Sequence, residues 1–252
     1  MAGRALASTG AVTATHVVDG GDGVRLQGLH STVPGREALG LALLLHGWEG
    51  SAESTYMRLS AARLLARGFD VFRLNFRDHG DTHHLNPGIF HSCLIDEVVH
   101  AAGDIARRFQ PDPSAPLRVG GYSLGGNFAL RLGLRAPAAG LAVARIAVVC
   151  PVLDPAETMT AMERGFPLYA WYFRRKWTRS LRRKQALFPD LLALDDRTMG
   201  LDLRPLTGWQ AQGVEAGVRV ELAAHGGHCG FLLDARMRGY AEDWLAGKLA
   251  AG

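Results

Sequence analysis

The hydrophobic positions follow two rhythms, and the way these alternate outlines the architecture. Residues 12–18 (VTATHVV) and 24–31 (VRLQGLHS) are rich in β-forming side chains and flank Gly20-Gly21-Asp22-Gly23, a pattern that reads as a hairpin. LALLLH at 41–46 is a short apolar run ended by glycine, as in a parallel strand buried on both faces. Residues 56–67 carry helical periodicity, 70–75 read as a strand, 94–109 as a helix, 117–122 as a strand, 124–136 as a helix and 145–150 as a strand. Alternation of this kind predicts a mostly parallel sheet wrapped by helices on both faces, an α/β fold. The first ten residues read as a loose tail.

The alternation stops at 151. Residues 155–210 hold three of the five tryptophans and no regular strand–helix pattern, so they are expected to form an inserted helical cap. VRVELAA at 218–224 reads as a last strand and 233–249 as a closing helix. The expected organisation is a core of 1–154 and 211–252 interrupted by a cap at 155–210. No internal repeat is present.

Composition narrows the class. The chain has 252 residues, 48% of them hydrophobic, enough for a substantial core. The net charge is +4, but residues 174–184 (RRKWTRSLRRK) contain seven of the 28 lysines and arginines. The basicity is therefore local, and one basic helix is too little for a nucleic-acid interface. Three cysteines, Cys93, Cys150 and Cys229, make neither a disulfide framework nor a zinc site. No leader-like N-terminus and no run of 18 apolar residues is present, so a soluble cytoplasmic protein is expected.

The chemistry centres on Gly121-Tyr122-Ser123-Leu124-Gly125-Gly126, a G-x-S-x-G pattern between a strand and a helix. A serine there sits on a tight turn that exposes its Oγ, and the following helix points its N-terminus at a developing oxyanion. The backbone N–H of Leu124 is one expected oxyanion donor. His46-Gly47-Trp48-Glu49-Gly50 ends the strand at 41–46, and the N–H of Trp48 is the expected second donor. The base is expected in Gly226-Gly227-His228-Cys229-Gly230-Phe231, after the last strand. His228 is favoured over His225. His83, His84 and His91 are read as pocket-lining or backbone-capping groups, without a carboxylate spacing that would suit a metal.

Five motifs in order resemble the YheT-like branch of the α/β-hydrolases: His46–Ser51, Asn75–Gly80, Phe90–Ser92, Gly121–Asn127 and His225–Phe231. The resemblance implies a carboxylic ester hydrolase with a Ser–Asp–His triad and no cofactor. It departs from the family at the acid, since no Asp-Asp-Pro stretch occurs and 204–217 is too short for the strand that would carry it. Read from the residues alone, PDLLALDD at 189–196 offers Asp196 as the acid, whereas the family resemblance implies a cap segment there, with Asp196 turned away from His228; Asp154 is the second option, with a turn cap as its simpler role. A triad lacking its acid is the third reading, and it predicts a weak or inactive enzyme.

In the basic segment, Trp171, Arg174, Arg175 and Thr178 fall on one side of a helix. The simpler reading is a solvated cap helix whose aromatics pack over the pocket. The functional reading is a surface for anionic lipid headgroups or an anionic substrate. Together these features predict a serine esterase for short- or medium-chain acyl esters. The alternative is an inactive relative that binds lipid or a partner through its cap. An epoxide or haloalkane hydrolase would carry an aspartate where Ser123 stands.

Overall fold

In the computed structural model, residues 2–165, 167–190 and 240–251 are described. The hairpin forms as expected, with β1 (Val12–Asp19) antiparallel to β2 (Arg25–Thr32). Strands β3 (Leu41–Leu45), β4 (Asp70–Leu74), β5 (Leu117–Tyr122) and β6 (Val143–Val149) complete a six-stranded sheet of order β1-β2-β4-β3-β5-β6. β2 meets β4 antiparallel, whereas β3–β4, β3–β5 and β5–β6 are parallel.

β3 shows why the parallel strands read as continuous apolar runs. Leu41, Leu43 and Leu45 enter one core layer with α3 (Ile95–Phe109) and α4 (Leu124–Arg135). Ala42 and Leu44 enter the opposite layer with α2 (Thr55–Ala66) and α7 (Tyr240–Ala250). A strand covered by helices on both sides has no polar face to reveal.

The N-terminus departs from the expected loose tail. Ala2–Ala7 form a short helix, α1, because this alanine-rich segment has high helical propensity and Leu6 packs into the layer beside α2. The closing helix is described from Tyr240, and Leu245 and Leu249 seat it fully buried against the sheet. The expected strand at 218–224 lies outside the described residues.

After β6 the chain forms α5 (Pro155–Arg164) and α6 (Pro167–Leu187). Asp154 caps α5, its Oδ1 accepting the Glu157 N–H at 3.0 Å, and Pro155 occupies the first turn, where no N–H is needed. α6 has a cleaner inner face than the mixed aromatics and arginines suggest. Phe173, Lys176, Trp177, Ser180, Leu181 and Lys184 turn inward, at the three- and four-residue spacing of one helix side. Lys184 breaks the apolar pattern. Its side chain is 1% exposed, pairs with the Asp78 carboxylate at 2.5 Å, and donates to the carbonyls of His83 (2.8 Å) and Asn86 (2.5 Å). Lys184→Met would leave the Asp78 carboxylate buried without its cation. The expected cost is about 3 kcal/mol or more, read from a lowered urea midpoint.

Candidate active site

The turn from β5 to α4 places Ser123 in a conformation that few side chains adopt, with φ 52° and ψ −116°. Its N–H donates to the Val149 carbonyl at 2.9 Å, and its carbonyl accepts the N–H groups of Asn127 (3.1 Å) and Val152 (3.2 Å). These bonds hold a backbone that would otherwise relax, since such geometry costs about 1–3 kcal/mol. The flanking glycines are required by space. A Cβ on Gly121 would lie 2.4 Å from the Gly125 carbonyl oxygen, and a Cβ on Gly125 would lie 2.3 Å from that of Leu45.

The loop after β3 runs beside this turn. A Cβ on Gly47 would lie 3.3 Å from the Ser123 Cβ. The loop's peptides are held one by one. The Gly47 N–H donates to the Tyr56 hydroxyl at 3.0 Å. The Gly47 carbonyl accepts the Gly50 N–H at 3.0 Å and contacts His46 Nδ1 at 2.7 Å. The Glu49 N–H donates to His79 Nε2 at 3.2 Å, and the Glu49 carbonyl accepts from Lys176 Nζ of α6 at 2.9 Å. Because the Gly47 carbonyl is taken from two sides, the Trp48 N–H of the same trans peptide must point the opposite way. That N–H has no acceptor among the described residues, and neither has the Leu124 N–H in the first turn of α4.

His46 and His79 serve as posts for this loop. The Phe76 N–H donates to His46 Nε2 at 3.2 Å, so His46 carries its proton on Nδ1 and gives it to Gly47. His79 has the same tautomer, with Nε2 accepting from Glu49 and Nδ1–H donating to the Arg77 carbonyl at 2.7 Å. Burial holds both rings neutral: it pushes His46 down to about 4 and His79 well below the usual imidazole range. Neither has a nitrogen left to act as a base. Burial also raises the Glu49 carboxyl to about 7, with Lys176 pulling it back and Asp78 pushing it further up.

α5 and α6 cover the loop. The Trp48 ring packs on Phe173 and Trp177, with centroids 5.4 and 5.7 Å apart. Trp48, Met159, Met162, Ala170 and Phe173 line a cleft to which Glu163 and Arg174 also contribute. Of the other histidines, His83 Nε2 meets the Ser180 hydroxyl of α6 at 2.8 Å, a side-chain contact between core and cap helix. No group of His, Cys, Asp and Glu able to hold a metal occurs among the described residues.

The structure thus brings Ser123, Leu124 and Trp48 together. His228, its rival His225, and Asp196 lie outside the described residues. Asp154 is occupied as a helix cap. Sequence reasoning did not single out His79, Tyr56 or Lys176 as supports of the loop. The signal for Lys176 was its place on the inner side of α6, three residues after Phe173 and one before Trp177.

The chain belongs to the α/β-hydrolase fold family, whose pattern matches residues 42–193. Solved structures with the same fold include the esterase Pf2001 of Pyrococcus furiosus, at 19% identity and TM-score 0.52 over 69% of each chain. The esterase Est22 aligns at 18% identity and TM-score 0.50, covering 68% of this chain and 59% of that one. A bacterial heroin esterase aligns at 24% identity and TM-score 0.50, over 64% and 52% respectively. These likenesses are of fold. A search of curated proteins finds no match to this sequence.

Proposed function

We propose that this protein is a serine carboxylic ester hydrolase of the YheT-like branch, acting on short- or medium-chain acyl esters. The observation that carries the reading is the strained Ser123 turn, flanked by two backbone N–H groups without acceptors among the described residues. In the proposed reaction Ser123 Oγ attacks the ester carbonyl while His228 takes its proton. The Trp48 and Leu124 N–H groups bind the tetrahedral oxyanion, and His228 then protonates the leaving alcohol. Water attacks the acyl-enzyme by the same route in reverse. Asp196 is the proposed orienting acid, since Asp154 is committed to capping α5. The chain calls for no cofactor in this scheme. Residues 155–210 would act as the cap, with the acyl chain lying under it on the side of Trp48, Met159, Met162 and Phe173.

The test is hydrolysis of p-nitrophenyl esters of graded acyl length by the purified protein. Turnover that falls off for long chains supports the reading, and absence of turnover at every length contradicts it.

His46 supplies a second check as a positioning residue. His46→Ala leaves the Gly47 carbonyl held by the Gly50 N–H alone and loosens the 47–48 peptide, misplacing one oxyanion donor. The expected result is a fall in kcat of about 10²–10³-fold with little change in KM, in protein whose circular dichroism is unaltered. A change confined to KM would assign His46 to substrate binding instead.

A further inference from the structure

The outer side of α6 is unlike the rest of the surface. Leu168, Trp171, Tyr172, Arg175, Arg179 and Arg182 recur at three- and four-residue spacing, opposite the inward-facing Phe173, Trp177, Leu181 and Lys184. Leu168, Trp171 and Tyr172 are 60, 56 and 46% exposed, a cost in water that a helix of ordinary surface composition avoids. The arginines are exposed as well, and Arg175 stacks over the Trp171 ring at 5.7 Å. Pro167–Leu187 contains five arginines, two lysines and no acidic residue. The two lysines are used internally, on Glu49 and Asp78, and Arg183 pairs with the exposed Asp81 in the loop after β4. Arg175 and Arg179 form no salt bridge with a carboxylate among the described residues, although Arg179 adds to the positive field that lowers Asp81.

Aromatic rings that are apolar in body and polar at the tip, beside arginines on long apolar stems, suit a lipid–water interface with negative headgroups. No described helix is long and apolar enough to cross a membrane, so any contact made by this helix would be at the surface. The helix is also well placed for such a role, because its inner side packs on Trp48, next to the nucleophile turn.

We propose that the outer side of α6 is a docking surface for an anionic lipid bilayer, with Trp171 and Tyr172 entering the headgroup region and Arg175 and Arg179 pairing with lipid phosphates. The surface would bring the cleft beside Trp48 to the membrane, but docking itself does not depend on hydrolysis. The experiment uses the full chain carrying Ser123→Ala, so that no lipid is consumed and a failure of the esterase reading leaves the result interpretable.

Co-sedimentation is measured with phosphatidylcholine vesicles and with phosphatidylcholine–phosphatidylglycerol vesicles. Binding is expected only to the anionic vesicles, and raised salt should weaken it. Arg175→Gln with Arg179→Gln should lower the partition coefficient about thirtyfold. Trp171→Ala with Tyr172→Ala should lower it too, without changing its salt dependence. These positions are exposed, so the variants are expected to keep the parent's melting temperature. Equal binding to both vesicle types, or anionic binding unaffected by either double variant, would overturn the proposal. Binding to a polyanion such as heparin with none to anionic vesicles would also overturn it, and would assign the surface to another acidic partner.

Discussion

Ser123→Ala removes the proposed nucleophile and is expected to lower turnover of p-nitrophenyl esters by about 10⁶-fold while leaving the fold intact. The size of the loss follows from the chemistry. Without Oγ no acyl-enzyme forms, and the remaining catalysis is whatever the two N–H donors give to direct attack by water. The fold should survive because the turn is held through the backbone of residue 123, by Val149, Asn127 and Val152, and the side chain is not needed for those bonds. Alanine must still adopt φ 52°, as serine does, so the strain is unchanged. In the same assay Asp196→Asn should cost about 10⁴-fold if Asp196 orients His228. Melting temperatures of the variants, compared with the parent, separate lost chemistry from lost structure. A Ser123→Ala protein that retained full turnover would place the reaction elsewhere.

Gly125→Ala is the second large expectation, and it acts through packing. The added methyl group would meet the Leu45 carbonyl oxygen at 2.3 Å and the His46 carbonyl oxygen at 2.4 Å. Leu45 ends β3 and His46 follows it directly, and β3 is fully buried and hydrogen-bonded between β4 and β5, so neither carbonyl can withdraw cheaply. Overpacking against backbone of this kind costs about 3 kcal/mol or more. The expected protein is either poorly folded or folded with α4 pushed off β3. In the second case the distance between Ser123 and the Trp48 loop grows and turnover is lost. Thermal melts and ester turnover together read both outcomes. Normal stability with normal turnover would show that the close approach of α4 to β3 is not required.

Much of the fold was legible because the core strands and helices are strongly patterned. The runs at 41–46, 70–75, 117–122 and 145–150 became β3 to β6 within a residue or two. Ser123, Leu124 and Trp48 could be named in advance because G-x-S-x-G and His-Gly are local patterns whose meaning depends only on the strand before and, for the serine, the helix after. α1 was not legible, since its one anchoring residue, Leu6, finds its partner on α2 far along the chain. The inner face of α6 was obscured by Lys176 and Lys184, which look like solvent-facing charges until Glu49 and Asp78 are brought under them. His46 and His79 were hard to read for a similar reason. Ten histidines offer ten bases, and only the hydrogen bonds to their Nε2 atoms show that these two are occupied by backbone N–H groups. The acid stayed open because no local pattern marks it.

The central claim is that Ser123 is an activated nucleophile, and one measurement addresses it directly. Intact-mass spectrometry after treatment with a fluorophosphonate, followed by peptide mapping, reports whether a serine is covalently trapped. A single adduct is expected on the peptide containing Ser123, absent from Ser123→Ala and slowed in a variant lacking His228. A folded protein that takes up no adduct, or takes it on another residue, would contradict the account and leave an α/β-hydrolase fold that binds without catalysing.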